Sequence, residues 1–169
     1  AIDHVYNNYG SGAVFLRANT FYGKQIDYGL TIRKGVSLIG EVVKGAATVD
    51  TPDYGTILYF WDTVKHLETP IIHIQGHGCE IRNVFVRGSD KYPGILIDSV
   101  RFVKMQNVSI FKCPDYGVKL LGSSDTVSDC LLLNTKVYNV SSISDGFVFE
   151  GQENAYVTQN TLIDCYAYL

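Results

Sequence analysis

Between residues 71 and 168 the chain alternates short apolar and polar positions in a pattern that returns at nearly constant intervals. Aligned on asparagine, four stretches read IRNVFV around Asn83, MQNVSI around Asn107, LLNTKV around Asn134 and TQNTLI around Asn160, spaced by 24, 27 and 26 residues. One position after the asparagine stand Val84, Val108, Thr135 and Thr161, and three after it Val86, Ile110, Val137 and Ile163, all β-branched. The position between holds Phe85, Ser109, Lys136 and Leu162, a mixed set that suits the outward direction on an alternating strand. A second set precedes the first: IIHIQG, GILIDS, GVKLLG and GFVFEG, with Ile72 and Ile74, Ile95 and Ile97, Val118 and Leu120, and Phe147 and Phe149 as inward pairs.

Strands following one another at this interval, with no helical pattern between them, do not build a doubly wound sheet. They build a coil. In a parallel β-solenoid each turn adds one rung, like residues stack roughly 4.8 Å apart, and continuous apolar columns form a core that no single rung could bury. Asparagine has a physical task there, because it tolerates the left-handed conformation of a sharp bend between strands. Stacked asparagine amides also hydrogen-bond up and down the column. Asn83, Asn107, Asn134 and Asn160 are therefore read as a structural ladder.

On these residues the chain resembles the right-handed parallel β-helices of the pectate-lyase-like superfamily. The segment GSGAVFLRANTFYGKQIDYGLTIRKGVSLIGE, residues 10 to 41, is similar to that family's first coils, with Arg17 and Ala18 in place of a proline-glycine turn. The resemblance implies an all-β fold, a right-handed single-stranded parallel β-helix with a helical cap at its N-terminal end. Residues 1 to 8 put Ile2, Val5 and Tyr6 on one helical face, as such a cap requires. The expected organisation is one domain over 1–169: a capping-helix remnant at 1–9, opening coils at 10–69 and regular coils with the asparagine ladder at 70–169. The last stretch, LIDCYAYL, brings no polar cap to its apolar columns, so the chain is expected to be an excerpt of a longer one.

Charge adds mainly exclusions. A formal net charge of -3, with 18% charged residues, points to neither nucleic acid nor an anionic membrane as partner. No apolar stretch reaches ten residues and no leader pattern opens the chain, so neither a transmembrane helix nor a signal peptide is expected. Cys79, Cys113, Cys130 and Cys165 stand singly among apolar neighbours, which favours buried free thiols in a reducing compartment over a zinc site, a redox pair or disulfides. Sequons at Asn107 and Asn139 are read as chance, Asn107 being assigned to the interior.

The outward column of the first strand in each coil is Gln75, Asp98, Leu121 and Glu150. Its two acids stand two rungs apart, about 10 Å between backbones, within reach of the separation of roughly 6.5 to 9.5 Å used by inverting glycosidases. Asp98 and Glu150, with Glu153 from the following loop, are the candidate catalytic carboxylates; solvated surface acids are the plainer alternative. Lys119, in the rung between, either neutralises both acids or contacts substrate. The longer loops add Asp125 and Asp145 as candidate substrate-binding residues, although Asp145 before Gly146 also fits an ordinary turn. Tyr116 and Tyr156 are candidate sugar contacts, and Tyr138, Tyr166 and Tyr168 share their turn or outward placement. The GHG run at 76–78 resembles the histidine motif of polygalacturonases without that family's aspartate motifs, and reads better as a turn. No clustered acids accompany Arg82, Arg87 or Arg101, so calcium-dependent elimination is not expected, and no metal or cofactor is expected.

The resemblance therefore implies a polysaccharide partner. Unpaired cysteines, the absent leader and short coils rich in Tyr and Asn resemble phage tailspikes, which implies a homotrimer in the virion tail, assembled in the host cytoplasm, that binds and in some cases depolymerises a bacterial surface polysaccharide. A secreted hydrolase or lyase of the same fold and a non-catalytic adhesin are the alternatives. An upstream attachment domain, a signal peptide, or activity indifferent to Asp98, Glu150 and Glu153 would separate the three.

Overall fold

The repeat of the sequence becomes a stack of parallel strands. A computed structural model describes residues 1–24, 29–42, 55–61, 67–138 and 145–168. Helix α1 (Ile2–Tyr9) is followed by β1 (Gly12–Leu16) and β2 (Asn19–Lys24), then β3 (Leu30–Ile32), β4 (Val36–Gly40) and β5 (Thr56–Trp61). Two short coils follow, β6 (Ile72–Ile74) with β7 (Glu80–Arg87), and β8 (Ile95–Asp98) with β9 (Lys104–Phe111). A longer coil holds β10 (Tyr116–Gly122), β11 (Val127–Ser128) and β12 (Leu131–Tyr138). The last holds β13 (Asp145–Gly151), β14 (Val157–Thr158), β15 (Thr161–Ile163) and β16 (Tyr166–Tyr168). The fold is an all-β parallel solenoid of about five turns with one short N-terminal helix.

Three sheets run along the stack. The first orders β1-β4-β7-β9-β12-β15, with β2, β5 and β16 joined to it; the second orders β3-β6-β8-β10-β13; the third is β11-β14. Ile72, Ile95 and Val118 lie opposite one another in the second sheet, as do Ile74, Ile97 and Leu120, and all six are wholly buried. In the last coil the same columns end on Phe147, partly buried, and Phe149, half exposed. Helix α1 packs Ile2 and Val5 on the core and stops at Gly10, whose left-handed backbone (φ 71°) lets its N–H reach the Tyr6 carbonyl at 2.9 Å.

Left-handed residues make the corners. Asn83, Asn107 and Asn134 have φ of 57°, 52° and 46°. Asn107 Nδ2 donates to Asn83 Oδ1 at 3.1 Å, and Asn134 Nδ2 donates to Asn107 Oδ1 at 2.9 Å. Asn160 does not continue this ladder, contrary to the sequence alignment. Leu133 pairs with Ile163 and Lys136 with Tyr166, so Asp164, with φ 52°, stands at the bend opposite Asn134. Asn160 instead follows the left-handed Gln159 (φ 55°) and occupies the column of Cys79, Val103 and Cys130. Its Oδ1 accepts the Cys130 N–H at 3.0 Å and its Nδ2 donates to the Val127 carbonyl at 3.2 Å.

The four cysteines obey the same corner rule. Each follows a left-handed residue (Gly78, Lys112, Asp129 and Asp164), and each thiol lies within reach of the carbonyl two residues back, at 4.0, 3.7, 3.4 and 3.5 Å, although Cys79 donates to the nearer Arg33 carbonyl at 2.9 Å and Cys165 also reaches that of Leu132 at 3.4 Å. The bend turns that carbonyl inward, and a small weak donor suits it where a hydroxyl would need stronger pairing. All four thiols are free, Cys165 the least buried.

Where the first sheet hands the chain to the second, Gly94, Gly117 and Gly146 lie in one column. A Cβ on Gly94 would meet the Gly117 carbonyl oxygen at 2.0 Å, and one on Gly117 would meet Val137 at 2.3 Å. The recurring glycine before each strand of the second sheet is therefore a matter of clearance.

The outer side of the first sheet is less open than alternation predicts. Phe85 and Ser109, read as outward, are 1% and 0% exposed. Next to them runs a column of Tyr59, Arg87, Phe111, Tyr138 and Tyr168. The Arg87 guanidinium lies between the rings of Tyr59 and Phe111, at 4.9 and 5.5 Å, while Tyr138 and Tyr168 stack on each other at 5.2 Å. Those ring faces are used within the protein, so the last two do not present a sugar platform side by side.

One rung is divided. Ile39 pairs with Arg82 and Ile57 with Phe85, so Gly40 and Thr56 take adjacent places on the stack. Thr56 seals the seam: its Oγ accepts the Glu41 N–H at 3.0 Å and donates to the Leu16 carbonyl at 3.0 Å.

Candidate functional site

The strands of the second sheet stay in register, so its outward residues form rows. One row is Gln75, Asp98, Leu121 and Glu150, the column read from the sequence; the next is Thr31, His73, Leu96, Lys119 and Val148. The two acids share a row but do not meet as a pair. Asp98 Oδ1 accepts the hydroxyls of Ser123 at 2.5 Å and Ser99 at 2.8 Å. Glu150 Oε2 lies 2.7 Å from Lys119 Nζ, and its Oε1 accepts Gln152 Nε2 at 3.1 Å. The hydrogen bond from Lys119, then that from Gln152, hold the Glu150 carboxyl below its ordinary range.

His73 Nε2 sits 3.8 Å from Asp98 Oδ2, too far for a hydrogen bond. Burial lowers the His73 pKa and the nearby Asp98 only partly opposes that, so the ring is neutral at pH 7 and the contact is not an ion pair there.

At the end of this face the chain turns through Ser99 (φ 54°) towards the third sheet. The Ser99 hydroxyl oxygen accepts the backbone N–H groups of Ser123, Ser124 and Asp125 at 3.2, 3.0 and 3.2 Å, which fixes the longer loop of the next coil over it. That loop delivers Asp125 to Arg101, Oδ1 to Nη2 at 3.3 Å. The Thr126 N–H first, and Arg101 and His77 after it, hold the Asp125 carboxyl below the usual range. The Arg101 N–H in turn donates to His77 Nδ1 at 3.0 Å. Sequence reasoning treated His77 as a turn residue and overlooked Ser99, Ser123 and Arg101 in this role, because their meeting depends on the loop path and not on strand alternation.

The remaining candidates are dispersed. Glu153 and Tyr156 line a shallow depression of about 580 Å³ with Thr126, Phe149 and Thr158, beside the last coil. Asp145 begins β13, five residues before Glu150, at the opposite end of the same strand. Tyr116 does not offer its ring to a ligand: it is 5% exposed, and burial pushes its phenol pKa up. The expectation failed there because Tyr116 directly follows the left-handed Asp115 (φ 68°), a placement that also faces inward at Val84, Val100, Val103, Val108 and Cys113. Asn107, at the centre of the ladder, is not open to a glycan, and the Asn139 sequon lies outside the described residues. A second cavity, of about 570 Å³, lies at the helix end among Ile2, Leu16, Leu38 and Phe60, away from all these groups. Among the described residues no three of His, Cys, Asp and Glu gather as a metal site would need, and no helix is long and apolar enough to cross a membrane.

Comparison with known proteins rests on shape. No protein-family model and no curated protein sequence matches the chain. Among solved structures, ORF18 of Geobacillus virus E2 superposes with a TM-score of 0.61 at 13% identity, over 92% of this chain and 34% of that one. The A-module of the mannuronan C-5 epimerase AlgE4 of Azotobacter vinelandii superposes with a TM-score of 0.56 at 16% identity, over 98% of this chain and 52% of that one. The chain thus spans about a third and about half of the lengths of these two similar structures, and the likeness is one of fold.

Proposed function

We propose that this solenoid binds a bacterial surface polysaccharide along the outer face of its second sheet, as part of a phage tail spike or appendage. The observation that carries the reading is the outward row of Gln75, Asp98, Leu121 and Glu150, three of its four side chains polar, beside the row of His73, Leu96, Lys119 and Val148. Rows repeating at the rung spacing of roughly 4.8 Å suit an extended chain of sugars better than a compact ligand. Carboxylates fixed by serine hydroxyls and by a lysine offer acceptors for sugar hydroxyls, and Lys119 a donor. A viral protein and a polysaccharide-modifying enzyme module among similarly folded structures support both halves of the reading.

Binding is better supported than cleavage. A glycosidase needs one carboxyl raised to act as general acid, and Lys119 shifts Glu150 the other way, which takes Glu150 out of that role. The test is incubation with purified capsular and cell-wall polysaccharides, following retention on affinity gels together with new reducing ends and the absorbance of unsaturated products. Retention without products is the expected result. Reducing ends that vanish with Asp98→Asn or Glu150→Gln would replace it with hydrolysis, and failure to retain any polysaccharide would remove the reading. Light scattering tests the accompanying proposal that three chains associate.

A further inference from the structure

The bend shared by Gly78, Phe102, Asp129 and Gln159 holds an aromatic residue that the bend itself does not ask for. All four are left-handed, with φ of 67°, 60°, 56° and 55°. Glycine and aspartate suit such a corner; glutamine and a bulky aromatic are strained there, and backbone strain of this kind collects where a side chain has a task. Packing does not supply the reason, since the Phe102 ring is 63% exposed.

Its surroundings do supply one. The preceding residue, Arg101, brings its guanidinium to 3.3 Å from Asp125, each side chain about half exposed at 46% and 54%. Because His77 Nδ1 accepts the Arg101 N–H at 3.0 Å, the neutral ring carries its proton on Nε2, a donor on the same corner. Asp98 leads to Phe102 through only Ser99, Val100 and Arg101, so this corner borders the outer face of the second sheet beside Asp98.

We propose that Phe102, Arg101 and Asp125 form a subsite for one pyranose ring. The C–H face of the sugar lies on the exposed phenyl ring, while two neighbouring ring hydroxyls engage the pair, donating to the Asp125 carboxylate and accepting from the Arg101 guanidinium. The ligand class is a hexopyranose with adjacent free hydroxyls, presented within a chain. The inference rests on the polysaccharide reading above and extends it from the sheet to the corner.

The test uses whichever of the purified capsular polysaccharides, cell-wall polysaccharides or mannuronan the unaltered chain retains. Phe102→Asn is the central variant, because asparagine accepts the left-handed bend and removes only the ring. Its dissociation constant is expected to rise about tenfold, with a Tm equal to or above that of the parent. Phe102→Trp is expected to bind within about threefold of the parent, and Asp125→Asn to weaken binding about as much as Phe102→Asn. In the parent, the ring signal of Phe102, identified by its loss in Phe102→Asn, shifts on saturation with polysaccharide. Unchanged affinity in Phe102→Asn, or an unmoved ring signal, overturns the subsite while leaving the polysaccharide reading intact. Should Phe102→Asn fold poorly, the ring signal, then identified by its loss in Phe102→Trp, decides. Retention of none of the polysaccharides by the parent overturns both together.

Discussion

Removing the middle amide of the asparagine ladder tests the architecture at its most specific point. Asn107 donates to Asn83 at 3.1 Å and accepts from Asn134 at 2.9 Å, from a partly buried bend with φ 52°. Asn107→Ala deletes both bonds and strands one acceptor and one donor, at about 1 to 2 kcal/mol each. Alanine must also hold the left-handed backbone, which adds about 1 kcal/mol. The sum is about 3 to 5 kcal/mol, a large part of the 5 to 15 kcal/mol that roughly spans domain stabilities. Asn107→Gly loses the same bonds without the left-handed penalty, though its freer unfolded chain returns some of the difference, so it should be milder than alanine by about 0.5 to 1 kcal/mol. Urea denaturation followed by circular dichroism reads both variants against the parent. An alanine variant within about 0.5 kcal/mol of the parent, or a glycine variant worse than alanine, would falsify the account of the bend.

Three further outcomes follow from the same geometry. Ellman's reagent at about pH 8 should find one fast thiol per folded chain, Cys165, since burial raises Cys79 and Cys113 and pushes Cys130 up to about 11; two or more fast thiols would contradict the corner rule. His73 is held neutral by burial, so between about pH 7.5 and 5.5 the unfolded chain gains a proton the folded chain refuses, and stability falls with pH; His73→Gln should flatten that limb in urea titrations, and an unaltered slope would refute it. Lys119→Met breaks a partly exposed ion pair and should alter stability by less than about 1 kcal/mol, yet weaken retention on polysaccharide gels; full retention would take Lys119 out of the site.

The repeat made the solenoid readable, because β-branched columns and asparagine bends are local signals that recur with the coil. The row of Asp98, Leu121 and Glu150 was readable for the same reason: alternation alone puts them outward. Asn160 misled because the string TQNTLI copies the pattern of LLNTKV four residues out of register; aspartate takes a left-handed bend as readily as asparagine, so Asp164 held the place that the letter Asn seemed to mark. Phe102 was invisible because no propensity puts a phenylalanine at a left-handed corner. The meeting of Ser99, Ser123, Asp125 and Arg101 depends on a loop crossing from the next coil, a long-range event that no window of one strand records.

The seam at Thr56 separates the length of a rung from the length of the chain that makes it. With Glu41 and Leu16 fastened to one hydroxyl, both halves of the rung meet their neighbours whatever travels between them. Closing a longer excursion costs only about 0.6 kcal/mol per doubling of its length. Gly40 to Thr56 is therefore a natural splice point, where a reporter or a foreign recognition module can be grafted while the scaffold on either side keeps its registration.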